Sequence, residues 1–175
     1  MRRSPRRRVK ITKDALATMV FSTAEAYPRE VAGILFGEPG GGDGYACHLA
    51  FPLQIMKWRG EEGLSWHPHL FNRIERLQPQ LTGLEFVGMY HSHTRLGEYP
   101  YNDLYPSYRD IESWKDYNYP LELIIGSSLH RKSKTKKLHN LNDGTLSMTL
   151  DRFDFKVRGF INPEDPDQTA LSVPL

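Results

Sequence analysis

Hydrophobic residues recur along this chain at two spacings, and each spacing predicts a different kind of element. Apolar residues three or four positions apart predict amphipathic helices, whereas short continuous apolar runs predict buried strands. The predicted helices are 12–27, 67–81 and 107–118. The predicted strands are 9–11, 30–37, 45–55, 84–93, 121–128, 145–150 and 153–161. This order predicts an α/β domain in which two or three helices flank a single mixed sheet.

Capping and proline signals predict where the first two helices begin and end. Thr12 is a candidate N-cap for the first helix, which Pro28 is expected to end. Pro68 suits the first turn of the second helix, and Pro79 is expected to mark its end. The sequence therefore marks both ends of each of these two helices.

The composition is that of a globular protein of ordinary size with a full hydrophobic core. The chain has 175 residues, of which 39% are hydrophobic and 25% are charged, and this length suits one domain. No apolar run approaches the roughly 20 residues that span a bilayer. The charged N-terminus has no apolar segment after it, so neither a membrane nor a secretory segment is expected. The single cysteine, Cys47, excludes an internal disulfide and favours a reducing, cytoplasmic location.

Positive charge is concentrated at the N-terminus. The first ten residues hold six of the 23 Lys and Arg residues and none of the 21 Asp and Glu residues, so the remaining 17 basic and 21 acidic residues give residues 11–175 a charge of about −4. We expect residues 1–8 to form a flexible basic tail and residues 9–175 to form the domain. A second basic run, 130–137, lacks interleaved aromatic residues that could stack on bases. It is expected to be a loop, and nucleic acid is not an expected partner.

Two His-x-His pairs compete for the role of metal site. His91 and His93 end an apolar run. Alternate residues of a strand lie on one face, so both imidazoles should project together from the end of a buried strand. His67 and His69 flank a proline at a helix start, where residues two apart point in different directions. The pair at 91 and 93 is therefore the better candidate, although His-x-His alone is a weak signal that needs a third ligand.

Acidic residues on either side of His91 and His93 could complete a catalytic site. A catalytic zinc takes three protein ligands, and Asp110 follows Ser107 in a Ser-x-x-Asp pattern that also forms a helix capping box. A helix start there would hold the aspartate and offer hydrogen-bond donors to a developing anion. Glu30 opens an apolar strand, where it could act as a general base or simply face solvent.

The order of these residues resembles the JAMM metalloproteases, also called the JAB or MPN+ family. The resemblance covers about residues 9–128, and the chain is similar to the compact prokaryotic members. It implies the MPN fold, which is similar to that of cytidine deaminases. It also implies that His91, His93 and Asp110 are the ligands of one Zn²⁺ ion per chain. By the same resemblance, Glu30 is the general base and Ser107 stabilises the oxyanion.

Two departures from that family pattern lie next to the histidines. Thr94 stands where the family usually has proline, and thirteen residues, 94–106, separate His93 from Ser107 where the family usually has seven. Asp103 lies nearer the usual distance of the third ligand, but no serine stands three residues before it, so Asp110 remains the expected ligand. The longer segment contains three tyrosines and is expected to shape the substrate channel or to act as a lid.

The resemblance implies a zinc isopeptidase that cleaves after the C-terminal glycine of a ubiquitin-like protein. The expected partner is therefore a ubiquitin-like protein or its conjugate, with no membrane partner. A non-catalytic MPN-type scaffold and a RadC-like protein of unsettled activity are the alternatives. A thiol protease built on Cys47 is disfavoured, because Cys47 and His48 are adjacent on a predicted strand and point to opposite faces. The particular ubiquitin-like protein and the oligomeric state are not predicted.

Overall fold

Within residues 7–40, 44–53, 56–58, 64–66, 68–94, 104–162 and 167–174, which the computed structural model describes, the chain forms three helices and twelve strands. The helices are α1 (Lys13–Ala26), α2 (Pro68–Thr82) and α3 (Tyr108–Tyr117). The strands are β1 (Arg8–Ile11), β2 (Ala32–Gly40), β3 (Gly44–Pro52), β4 (Met56–Trp58), β5 (Leu64–Trp66), β6 (Glu85–Thr94), β7 (Leu121–Leu129), β8 (Lys136–Asn140), β9 (Leu146–Leu150), β10 (Phe153–Ile161), β11 (Asp167–Gln168) and β12 (Ala170–Ser172). The predicted mixture of helices and strands is confirmed.

Ten of these strands form one mixed sheet. Their order is β12–β1–β3–β2–β6–β7–β10–β9–β8, with β11 paired to β10. The central strand β6 is antiparallel to β2 and parallel to β7. β4 and β5 form a separate two-stranded antiparallel sheet. One large mixed sheet with helices against it is therefore confirmed, and the small second sheet is a feature that the prediction of a single sheet did not include.

The helices α1 and α3 contribute to two different cores, one on each face of the large sheet. α1 packs into the core that contains Tyr90, whereas Trp114 of α3 packs into the core that contains Met89. Successive residues of a strand point to opposite faces. Strand β6 therefore places His91 and His93 on the Met89 face, which is also the face that α3 covers.

The predicted N-cap of α1 is confirmed, whereas the predicted C-terminal end of α2 is wrong. Thr12 is the N-cap of α1, and its hydroxyl accepts a hydrogen bond from the N–H of Ala15 at 3.3 Å. The expectation that Pro79 ends α2 is wrong, because α2 continues through Pro79 to Thr82. Gly83 follows with a left-handed φ of 73° and donates its N–H to the Pro79 carbonyl oxygen at 2.8 Å. Glycine takes that conformation without the penalty that a Cβ brings, so it ends the helix in place of proline.

The two basic segments of the sequence differ in how much of them is described. Residues 1–6 of the predicted tail, 1–8, lie outside the described residues, so their mobility stays a prediction, whereas Arg8 belongs to β1 and pairs with Ala170 of β12. The run 130–137 lies mostly between β7 and β8, as expected for a loop, with its last two residues in β8. Among the described ranges, no helix is both long enough and apolar enough to cross a bilayer.

Gly88 allows β6 to lie close against the start of β7. A Cβ at this position would be 2.0 Å from the carbonyl oxygen of Leu121, and the φ of 155° is one that other side chains rarely adopt. The close approach accompanies a register in which Met89 pairs with Glu122 and His91 pairs with Ile124. A residue with no side chain is therefore part of what aligns the histidine strand with its neighbour.

Replacing Gly88 with alanine should lower the free energy of unfolding by about 1–3 kcal/mol, the usual cost of overpacking a close-packed site. Gly83→Ala is the matched control, because its φ is also positive but nothing lies within 4 Å of the added Cβ. Urea unfolding of both variants measures the two losses. Equal losses would mean that backbone conformation, and not the contact with Leu121, requires glycine at position 88.

Candidate metal centre

Strand β6 presents two imidazoles from one face of the sheet. The Nε2 atoms of His91 and His93 are 3.0 Å apart. The two side chains are 13% and 12% exposed, so they are mostly shielded from water but still reach the surface. The structure thus brings these side chains together, as the period of two residues in a strand predicts.

Helix α3 brings a carboxylate, Asp110, to the two imidazoles. Ser107 is the N-cap of α3: its hydroxyl accepts from the N–H of Asp110 at 3.2 Å, and its own N–H donates to Asp110 Oδ2 at 2.6 Å. The same Oδ2 atom lies 3.5 Å from Nε2 of His91 and 3.6 Å from Nε2 of His93. The capping box that stabilises the start of the helix therefore also aims the carboxylate at the histidines.

The spacing of these three atoms suits a tetrahedral zinc ion. Zinc binds imidazole nitrogen and carboxylate oxygen at about 2.0–2.2 Å, which separates neighbouring tetrahedral ligand atoms by roughly 3.3–3.6 Å. The observed separations are 3.0, 3.5 and 3.6 Å. Within the described part of the chain, His91, His93 and Asp110 are the group of side chains that could hold a metal ion. Three protein ligands of this kind would leave a fourth position for water.

Glu30, which precedes β2, lies close enough to these three residues to interact with them electrostatically. Burial raises the pKa of the Glu30 carboxyl, His91 and His93 lower it, and Asp110 raises it. The net effect is a pKa above the usual value for glutamate. A carboxylate with a raised pKa is a better proton acceptor near neutral pH than an exposed one. Glu30 is therefore within electrostatic range of His91, His93 and Asp110.

The serine between the two histidines fixes the backbone next to Glu30. Ser92 is fully buried, its Oγ accepts from the N–H of Val31 at 2.9 Å, and its own N–H donates to the Val31 carbonyl oxygen at 2.8 Å. Thr94, two residues on, donates its hydroxyl to the Pro28 carbonyl oxygen at 3.1 Å. The polar residues that alternate with the histidines therefore hold the segment that carries Glu30.

Charges around His91 favour a cation at this position. Burial lowers the pKa of His91, but the carboxylates of Asp110 and Glu122 outweigh it and hold the pKa well above its usual value. Burial also opposes ionisation of Asp110, yet His91, His93 and Ser107 hold the pKa of Asp110 well below its usual range. Because metal binding requires a neutral imidazole, protons and a metal ion compete for His91.

A buried glutamate that sequence reasoning missed lies on the other side of His91. Oε1 of Glu122, in β7, is 2.7 Å from Nδ1 of His91. Burial raises the pKa of Glu122 above its usual value, although His91 and the Tyr119 hydroxyl offset part of that rise. The signal in the sequence was one acidic residue inside the apolar run 121–128, which strand pairing alone would not require.

Several predicted candidates lie outside the described residues. Asp103, the alternative third ligand, and His67 are among them, and the side chain of His69 is not described. Of the three tyrosines in the segment 94–106, Tyr105 is described, and its ring lies 4.8 Å from the guanidinium carbon of Arg158. A lid or channel role for this segment stays a prediction.

Cys47 has none of the features of a reactive thiol. It is fully buried, and burial raises the pKa of its thiol to about 12. Its neighbour His48 points elsewhere, with Nε2 3.2 Å from Oε1 of Glu38. The thiolate is the nucleophilic form, so these observations agree with the argument against a cysteine protease.

Comparisons with known proteins identify the family. A protein-family model described as prokaryotic homologs of the JAB domain matches residues 12–139 of the 175 in this chain. Among solved structures, the chain is similar to the solution structure of protein DSY2949 from Desulfitobacterium hafniense, with 18% sequence identity and a TM-score of 0.62. That similarity covers 95% of this chain and 92% of the other, and at this identity it shows the fold alone. No curated protein matches this chain.

Fold and site together define an α/β domain with a candidate His-His-Asp metal centre at the end of a central strand. The match covers most of the chain and includes His91, His93 and Asp110. The chain belongs to the prokaryotic JAB-domain family.

The first test of the centre is zinc content. We expect one zinc ion per chain in the wild type and loss of that ion in a His91→Ala/His93→Ala variant, because two of three ligands are removed. Elemental analysis of the dialysed proteins measures it. A His67→Ala/His69→Ala variant is the matched control and should retain zinc. Full zinc content in the first variant would exclude the assigned ligands, and loss of zinc in a folded control would favour the other pair.

Proposed function

We propose that this protein is a zinc-dependent isopeptidase or peptidase that cleaves after the C-terminal glycine of a ubiquitin-like protein. The observation that carries the proposal is the convergence of three ligand atoms, on His91, His93 and Asp110, at the spacing of a tetrahedral zinc site. The neighbouring carboxylate of Glu30 supports a hydrolytic role, because a site that only bound metal for stability would not need a base.

The residues of this chain support a reaction by activated water. A zinc ion bound by the three ligands would lower the pKa of a coordinated water toward about 7 and polarise the scissile carbonyl. Glu30 would take the proton from the attacking water and then deliver it to the leaving amine. Burial of the Glu30 carboxyl raises its pKa, which favours its uptake of the proton.

Ser107 and the start of α3 are the candidates for stabilising the oxyanion. The Ser107 oxygen accepts from the N–H of Asp110 through a lone pair, and a hydroxyl that accepts in this way can still donate its O–H. Backbone N–H groups in the first turn of a helix also favour negative charge. A tetrahedral oxyanion between this helix start and the histidines would therefore meet hydrogen-bond donors.

The substrate class rests on the family rather than on a contact in this molecule. Peptides with a glycine at the cleaved bond fit narrow sites, and an extended tail can add backbone hydrogen bonds to a strand edge. A non-catalytic scaffold or a RadC-like protein is the alternative. The combination of Glu30 with the three ligands favours catalysis over a scaffold, which needs none of these side chains.

Glu30→Gln should retain zinc and the fold but lose hydrolysis by at least about 100-fold, because an amide can hydrogen-bond water but cannot accept its proton. Glu25→Gln is the matched control, since Glu25 is exposed on α1. The assay is cleavage of ubiquitin-like proteins with a C-terminal amide-linked fluorophore, with casein as the unstructured comparison. Near-normal turnover by Glu30→Gln would remove Glu30 from the mechanism. A zinc-loaded wild type that cleaves none of these fusions would favour the scaffold.

Ser107→Ala should slow hydrolysis by 10²–10³-fold, on the order of 2.7–4 kcal/mol, if its hydroxyl donates to the oxyanion. The variant also loses a helix N-cap, which is worth about 1 kcal/mol of stability. Thr12→Ala removes the N-cap of α1 instead and supplies the matched control for that second effect. Equal loss of activity in the two variants would assign the effect of Ser107 to helix stability.

A further inference from the structure

Glu122 is a charged residue where the fold alone would call for an apolar one. It is 2% exposed and lies in β7 between Leu121 and Leu123, which are fully buried. Burying a carboxylate is costly unless specific donors compensate for the lost water. The partners of its two oxygen atoms therefore indicate why an acid is present.

The two oxygen atoms of Glu122 have different partners. Oε1 lies 2.7 Å from Nδ1 of His91, and Oε2 accepts from the Tyr119 hydroxyl at 2.5 Å. Burial, with the adjacent Glu122 carboxylate, holds the pKa of Tyr119 far above its usual value, so the phenol keeps its proton and donates.

Tyr119 is in turn held by the helix that carries Asp110. Its backbone carbonyl accepts from Nε1 of Trp114 at 2.5 Å, and the two rings stack with centroids 5.9 Å apart. Trp114 is fully buried and lies one turn after Asp110 on α3. The chain of contacts therefore runs from His91 through Glu122, Tyr119 and Trp114 to the helix that supplies the third ligand.

These contacts determine which nitrogen of His91 can bind a metal ion. An imidazole that donates from Nδ1 carries its lone pair on Nε2. Nε2 is the atom that faces His93 at 3.0 Å and Asp110 at 3.5 Å. A carboxylate on the outer nitrogen of a metal-binding histidine fixes both the tautomer and the orientation of the ring.

We propose that Glu122 and Tyr119 are positioning residues of the metal centre: Glu122 holds His91 with Nε2 toward the ion, and Tyr119 holds Glu122. The inference rests on the metal centre of the proposed function but not on its substrate. Neither residue touches the reacting atoms. Their effect should therefore be seen first in zinc affinity, without any substrate present.

The experiment is a zinc titration of the full chain against a chromophoric chelator, with melting of the metal-free proteins measured in parallel. Glu122→Ala should bind zinc about 10–100-fold more weakly, as is usual when such a partner of a ligand is lost. Glu122→Gln should fall between Glu122→Ala and the wild type, because its amide oxygen can still accept from Nδ1. Tyr119→Phe keeps the ring on Trp114 and should weaken zinc binding by less than Glu122→Ala.

Tyr90→Phe is the matched control. Tyr90 is also a buried tyrosine whose hydroxyl is hydrogen-bonded, to Ser22 at 3.1 Å, and it precedes His91 on β6 but faces the α1 core. It should melt at a lower temperature than the wild type and bind zinc equally well. If Tyr90→Phe weakens zinc binding as much as Tyr119→Phe, the effect is general destabilisation and the proposal fails.

The proposal is also overturned if Glu122→Gln and Tyr119→Phe both bind zinc as tightly as the wild type does. If Glu122→Ala does not fold, the zinc affinities of these two variants are the test. A wild-type protein that binds no zinc while folded would overturn it as well. The variants could differ in zinc affinity as expected while the wild type cleaves no ubiquitin-like fusion. That result would uphold the positioning roles of Glu122 and Tyr119 and exclude only the proposed substrate.

Discussion

Backbone pairing on both sides of β6 is the constraint on which the candidate centre depends. At His91 the strand pairs with Ala32 of β2 and with Ile124 of β7. A one-residue shift of this central strand would break both ladders and turn every side chain to the other face. Glu30 just before β2 and Glu122 in β7 are therefore fixed relative to the imidazoles by the same hydrogen bonds that form the sheet.

Ionisable side chains meet at this site, and without a metal ion their charges are balanced by protons, because the pKa of His91 is held well above its usual value. Three carboxylates, those of Glu30, Asp110 and Glu122, surround the imidazoles of His91 and His93. Buried like charges are costly, and an unpaired one costs more than a pair contributes. An ion that binds the folded chain and not the unfolded one also stabilises the fold. Metal binding and structural stability are thus expected to be linked in this domain.

Local signals, together with the family resemblance, predicted that His91, His93 and Asp110 would converge, but they did not predict the surroundings of these side chains. The capping box of Ser107 and Asp110 and the alternation of His91 and His93 act over two or three residues, so they can be read directly. The contact of Glu122 with His91 depends on β7 lying parallel beside β6, which follows from tertiary pairing.

The end of α2 and the role of Ser92 depend on neighbouring backbone as well as on local preference, and the sequence predicted them less well. Pro79 has a strong local tendency to end a helix, yet α2 continues to Thr82 because the left-handed Gly83 supplies the actual termination. Ser92 separates the two histidines in the sequence, and its role in holding Val31 becomes visible only when β2 lies beside β6.

The most direct test of the metal centre is anomalous diffraction at the zinc edge from crystals of the zinc-loaded protein. We expect one peak per chain, about 2.0–2.2 Å from Nε2 of His91, Nε2 of His93 and a carboxylate oxygen of Asp110. A zinc peak bound elsewhere, or none at these three residues in a folded protein with zinc supplied, would contradict it.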